Sequence, residues 1–185
     1  MANSNLNILT GKVRASFVRL TQKDELSDKY CVTLLIPKSD RKTYQALMDE
    51  VQRVAKAYKA KGGKRAIENL HGIHDGDAPT PKGSEYGPEC RGCWVLRVSN
   101  KTCPKCFNRN GTEIIDLGEI YSGCYVRALI HGFAYDKNGS VGIGFTLDGL
   151  QKWADGEPLG GHFEADAGMF ADGYTDPDGD NDYGI

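Results

Sequence analysis

Beyond Lys152 the chain contains no lysine or arginine. That final stretch carries nine acids instead: Asp155, Glu157, Glu164, Asp166, Asp172, Asp176, Asp178, Asp180 and Asp182. Residues 1–152 hold 23 basic against 16 acidic side chains, a net +7 concealed by the overall −2. A basic body selects a polyanionic partner, and an acidic tail competes with that partner for the same surface. The plainer account of the tail is a solvated end that serves solubility alone. The sequence also lacks an apolar run long enough to span a membrane. Its start, MANSNLNILTGKVR, lacks the apolar core of a secretory signal. The expected setting is therefore the cytoplasm, with no membrane partner. In that reducing compartment the six cysteines are expected to be thiols or metal ligands rather than disulfides. No Walker loop, dinucleotide fingerprint or Ser-His-Asp set is present, so the expectation is a binding protein and not an enzyme.

What is there suits one ordinary domain: 185 residues, 39% hydrophobic and 26% charged. Residues 9–20 alternate in part, with Lys12, Arg14 and Ser16 on one side and Val13, Ala15 and Phe17 on the other. That is the pattern of a half-buried strand. YCVTLLIP (30–37) is apolar and β-branched, a central strand ended by Pro37. One long helix follows: Ser39 or Asp40 caps it, Tyr44, Leu47, Val51, Val54 and Tyr58 recur at helical spacing, and Gly62 and Gly63 stop it. Residues 62–93 read as a long loop containing His71, His74, Asp75 and Asp77. WVLRVSN is the next strand, with Trp94, Leu96 and Val98 on one face and Arg97 on the other. A final hairpin turns at Lys137-Asn138-Gly139, since Asn-Gly takes the positive φ angles of such turns. Five or six strands with one inserted helix predict a mainly β fold, a small closed or partly open barrel. Residues 1–163 form the predicted domain and 164–185, rich in Gly, Asp and Ala, a disordered acidic tail.

The hairpin's first strand carries the functional signal. Cys124, Val126, Ala128, Ile130, Gly132 and Ala134 suit a narrow interior. Tyr125, Arg127, Leu129, His131, Phe133 and Tyr135 form the opposite face. Aromatic rings interleaved with cations are what single-stranded nucleic acid needs, each stacked base contributing about 1–3 kcal/mol. The competing account has the helix or long loop cover this face as a second small core. Gly142 and Gly144 on the neighbouring strand leave room for a close approach, whether by a bound strand or by another element. Lys12, Arg14, Arg97, Lys101, Lys152 and Trp153 complete the candidate nucleic-acid-binding set if they share that side.

The stretch IYSGCYVRALIHGFAYDKNGSVGIGFTLDGLQKWADGEPLGG, with YCVTLLIPKSD and HDGDAP upstream, resembles a family of tailed-phage single-stranded-DNA-binding proteins. The resemblance runs in order through most of residues 8–162 and is most distinctive in YSGCYVRA and LDGLQKWADGEPLGG. It implies an OB-fold, a five-stranded barrel with an inserted helix, used in phage replication and recombination. It implies sequence-independent coating of single-stranded DNA in the host-cell cytoplasm. RNA stays open as a further ligand, since stacking and phosphate contacts barely distinguish the two sugars. It implies an acidic tail that contacts replication or recombination proteins. Whether the chain is a monomer or a homodimer stays open.

CRGC and CPKC depart from the family pattern. Cys90, Cys93, Cys103 and Cys106 have the spacing of a structural zinc ribbon if the chain between them folds back at Ser99-Asn100. If residues 94–102 run straight, the pairs stand roughly 30 Å apart and one ion cannot serve both. Both readings are open at this level, and DNA binding itself needs no cofactor. Cys31 and Cys124 lie on strands and read as core thiols. Three further functions compete: a zinc-ribbon module for RNA or transcription, a metal-dependent nuclease, and an assembly protein without nucleic-acid affinity.

Overall fold

A computed structural model describes residues 7–160, and the predicted tail at 164–185 lies outside the described residues. The strands are β1 (Ile8–Leu9), β2 (Val13–Asp24), β3 (Lys29–Pro37), β4 (Ile73–Asp75), β5 (Cys93–Asn100), β6 (Lys105–Phe107), β7 (Tyr125–Lys137) and β8 (Ser140–Ala154), with one helix, α1 (Arg41–Ala60). β2 pairs antiparallel with β3, and β3 with β5. β5 meets β8 in parallel at Ser99 and Thr146, β8 pairs antiparallel with β7, and β7 returns to β2. Five strands therefore close a ring, in which the first, second and third neighbour one another and the fifth lies between third and fourth. This is a ring like that of an OB-fold. β1, β4 and β6 are short additions to β7, β5 and β8. The hairpin turn falls at Asn138 and Gly139, with φ of 51° and 79°, as the sequence requires.

Period-two alternation fills the interior. Val32, Leu34 and Ile36 of β3, Leu96 and Val98 of β5, and Val126, Ala128 and Ile130 of β7 are buried together with Phe145, Leu147 and Leu150 of β8. Small residues on β7 keep the barrel narrow enough for these side chains to meet.

Asp40 caps α1 by accepting from the Thr43 amide at 3.1 Å. Leu47, Val51, Val54 and Ala55 form its buried stripe. The helix seats on β7 where Gly132 has no side chain; a Cβ there would lie 3.0 Å from Glu50 Cγ and 3.1 Å from Val54 Cγ2. Glu50 is only 6% exposed and accepts from the Gly132 amide at 2.9 Å and from Arg53 at 2.7 and 2.8 Å. One carboxylate thus ties helix to barrel.

The segment expected to be a plain loop contains β4, which places His74 and Asp75 against Val95 and Trp94. Lys38 Nζ donates to Asp75 and Asp77 at 2.6 Å each, and Asp77 also accepts from the Gly92 amide. These acids pin the connection to the end of β3.

Burial pushes the Glu50 carboxyl up, but the Arg53 guanidinium and the Gly132 amide prevail and hold it below its ordinary 4.5. Its folded-state pKa is therefore depressed, so its stabilisation is present above the ordinary carboxylate range and lost as pH falls through the folded value. Glu50→Gln is expected to cost about 1–3 kcal/mol at neutral pH in urea unfolding. The difference from the parent should shrink towards about pH 3; a gap that stays constant across that range excludes this role.

Candidate nucleic-acid interface

The outward face of β2, β3 and β5 is a groove. Thr33 pairs with Arg97, Leu35 with Val95, and Ser16 with Thr33, which sets these side chains side by side. Two cavities of about 280 Å³ each lie along it. The first is walled by His74, Tyr86, Cys90 and Val95, the second by Arg19, Asp24 and Cys31, and both share Phe17, Thr33 and Arg97.

Phe17 stands between them. Alternation in the sequence assigns it to the interior with Val13 and Ala15, but the structure turns it outwards, 71% exposed. The cause is a β-bulge: Ser16 pairs with Thr33 and Arg19 with Cys31, so three steps of β2 oppose two of β3. Phe17 takes φ of +45° at this irregularity, a conformation that costs a bulky L-residue about 1–3 kcal/mol. A large ring held outwards in a strained backbone is a placement that core packing does not account for. Arg19 is exposed beside it. Arg97 donates to Asp24 and to Ser27 Oγ, each at 3.2 Å. Ser27, through hydroxyl and amide, and Arg97 together hold the Asp24 carboxyl below its usual range. Sequence reasoning missed Phe17, Arg19, His74 and Tyr86, because neither a bulge nor the folding of the 62–93 connection onto β5 has a signal in one sequence.

The residues expected to share one face are divided. Arg97 lines the groove, and Lys101 lies exposed in the turn after β5. Lys12 and Arg14 stand over the Tyr125 ring, 5.2 and 5.9 Å from its centroid, on the far side of β2. Arg127 and, unforeseen, Arg109 lie over Trp153 at 5.9 and 4.1 Å. His131 Nδ1 is 2.6 Å from Asp148, which also accepts from Asn7. Phe133 and Tyr135 lie across Gly144 and Gly142, where an added Cβ would come within 2.6 Å of each side chain. The room left by those glycines is filled by the protein's own rings. Lys152 turns to the barrel end, 2.8 Å from Asp155 and 5.3 Å from the Tyr121 ring.

The cysteine spacing resolves as a straight strand. β5 runs unbroken from Cys93 to Asn100 and pairs along its whole length with β3. Cys90 and Cys93 therefore sit at one end of it and Cys103 and Cys106 beyond the other, so the four-cysteine zinc site does not assemble. Among the described residues no three His, Cys, Asp or Glu side chains gather as a metal cluster. Burial among apolar neighbours pushes the Cys90 thiol up to about 11 and Cys106 up to about 12. Cys124 is a core thiol as expected, whereas Cys31 is buried on the outer face, its sulfur 3.5 Å from Arg97 Nη2. Protein purified without chelator is expected to carry well under one zinc per chain by elemental analysis; a stoichiometric ion would require residues 94–102 to refold.

With the ring and groove established, likeness to known proteins is decisive. The family model described as the Enterobacter phage Enc34 ssDNA-binding protein matches residues 6–182. The chain belongs to this family of phage single-stranded-DNA-binding proteins. Among solved members, the single-stranded DNA-binding protein from bacteriophage Enc34, in complex with ssDNA, is 28% identical with a TM-score of 0.73, covering 85% of this chain and 91% of that one. A protein designated p50 from Acyrthosiphon pisum secondary endosymbiont phage 1 is 29% identical over 182 residues, 90% of this chain and 94% of its own. Gp2.5, a single-stranded DNA-binding protein encoded by bacteriophage T7, shares the fold at 13% identity, with a TM-score of 0.57 over 90% of this chain and all of its own. No helix among the described residues is long and apolar enough to cross a membrane.

Proposed function

We propose that the chain coats single-stranded DNA without base specificity, holding it in the groove on β2, β3 and β5. The observation that carries this reading is Phe17, exposed and strained between two cavities on the first three strands of the ring. That face, with its flanking loops, is where OB barrels take up oligonucleotides. Phe17 offers a stacking platform that any base satisfies, and Arg19 and Arg97 flank it for phosphates. The ssDNA complex of the Enc34 relative supports the ligand class. RNA competes, because stacking and phosphate contacts barely distinguish the two sugars.

The test is fluorescence anisotropy with labelled oligothymidine, competed by unlabelled single strand, duplex and RNA. Phe17→Ala is expected to weaken binding about tenfold, within the 1–3 kcal/mol of one stacked base, while leaving the fold as stable or more so. Affinity should fall steeply with salt as counterions are released. Undiminished affinity in a folded Phe17→Ala protein sinks the groove reading. Cleavage of the strand on adding magnesium or manganese would favour a nuclease instead.

The tail regulates this groove and meets replication or recombination proteins. After β8 the chain crosses β2: Arg14 donates to the Glu157 carbonyl at 2.6 Å, and the Leu159 amide to the Ser122 carbonyl at 2.8 Å. Leu159 packs with Leu35, Cys90 and Val95, residues that line the groove. Seven acids follow, from Glu164 to Asp182. A polyanion tethered beside a DNA groove competes for it at high effective concentration. Removing residues 164–185 is expected to tighten binding at low salt, with the gain fading as salt screens the tail. Equal affinities at low salt would leave the tail no such role.

A further inference from the structure

We propose that a strip across β2, β7 and β8, outside the groove, is a second contact for the same nucleic-acid strand. It engages phosphates only when the strand is longer than the groove. This rests on the groove reading and extends it.

Four cations define the strip: Lys12, Arg14, Arg127 and Arg109. None has a carboxylate within 4 Å among the described residues, whereas Arg97, Lys38, Arg53, Lys59 and Lys152 all do. Each instead lies over an aromatic ring, Lys12 and Arg14 over Tyr125, and Arg109 and Arg127 over Trp153. A cation held beside a ring or by backbone carbonyls keeps its full positive charge, and the N–H donors it does not use there remain for phosphate oxygens. Arg127 Nε also donates to the Thr10 carbonyl, and Arg14 Nε to the Gly123 carbonyl, which fixes both side chains in place.

The strip adjoins the groove at β2. Arg14 pairs with Leu35 on the groove side and with Tyr125 on the other. Tyr125 and Arg127 project from the same face of β7 two residues apart, and Arg127 pairs with Gln151, two residues before Trp153. A strand leaving the groove past Leu35 therefore meets a row of cations that no carboxylate among the described residues pairs. The ligand is the sugar–phosphate backbone, so the strip adds length and salt dependence and no base preference.

Trp153 supplies the readout. The chain has two tryptophans, and Trp94 is stacked on Tyr44 at 4.6 Å away from the strip. In Trp94→Phe protein, Trp153 emission is expected to change with a strand of about 30 nucleotides and to stay constant with one of about 8, a length within one OB site. The double variant Lys12→Gln/Arg109→Gln alters two exposed side chains. It is expected to bind the long strand about tenfold less well and to lower the magnitude of its salt slope by about 1.4, with short-strand binding unchanged. Silence of Trp153 at saturation with the long strand overturns the proposal. So does equal weakening for both lengths, or an unaltered long-strand affinity in a variant whose thermal melt matches the parent. Phe17→Ala separates the two readings. If it leaves short-strand binding intact the groove reading fails, while a length-selective Trp153 response still stands for the strip.

Discussion

Closing five strands into a narrow ring imposes one constraint on everything else: each strand must alternate strictly between inside and outside. A side chain can escape that alternation only through a bulge. The ring has four such irregularities, two between β2 and β3 and two between β7 and β8, and three of them present a residue with a polar or exposed role. The break between Ser16 and Arg19 turns Phe17 into the groove. The step between the Ile130–Leu147 and Leu129–Gly149 pairs leaves Asp148 unpaired on β8, where it meets His131 and Asn7. The step between the Val126–Lys152 and Tyr125–Ala154 pairs frees Trp153 to receive two arginines. Regular pairing builds the barrel, and its interruptions build the surface.

That division explains which features the sequence discloses. The apolar, β-branched run YCVTLLIP is the central strand it was expected to be, and the period-two pattern of residues 124–135 placed Val126, Ala128 and Ile130 correctly in the interior. The helix was equally legible from its cap and stripe, and the Asn138-Gly139 turn from its chemistry. Phe17 was not, because the same alternation that correctly reads Val13 and Ala15 misreads the next odd position once a residue is inserted. The candidate face on β7 contained the right kinds of side chain but could not reveal neighbours. Gly142 and Gly144 look like vacant space in one strand, and only the register with Phe133 and Tyr135 shows what fills it. The two CxxC pairs were ambiguous for a similar reason. Ser99-Asn100 permits a turn, and it is the uninterrupted pairing with β3 that holds β5 straight.

Electrostatics then sorts the cations by task. Those at structural joints are neutralised where they sit: Lys38 by Asp75 and Asp77 at the end of β3, Arg53 by Glu50 beneath the helix, and Lys152 by Asp155 at the barrel mouth. The exposed pairs contribute little energy singly and the buried Glu50 contributes more, but all of them fix where a loop or helix lies. Lys12, Arg14, Arg109 and Arg127 are ordered by aromatic rings and backbone carbonyls instead, which leaves their charge uncompensated. A cation held by a ring alone keeps its full charge for an incoming anion, whereas a carboxylate neighbour offsets part of it.

On the proposed reading, indifference to the base follows from the same economy of contacts. Reading a base edge takes paired donors and acceptors held at fixed positions, such as a bidentate amide or guanidinium aimed into a pocket. In the groove the ring of Phe17 presents only a π-face, and the nearly buried Val95 and Leu35 form an apolar floor. Of the polar groups there, Arg97 is engaged with Asp24 and Ser27, and Asp24 with Ser27, while His74 and Tyr86 line the wall. A base entering this surface meets stacking and apolar contact, which purines and pyrimidines both satisfy, and its phosphates meet cations that recognise no sequence. A protein that must cover whatever strand is exposed gains from such a surface, since any edge-reading group would leave a buried partner unsatisfied at most positions along the strand.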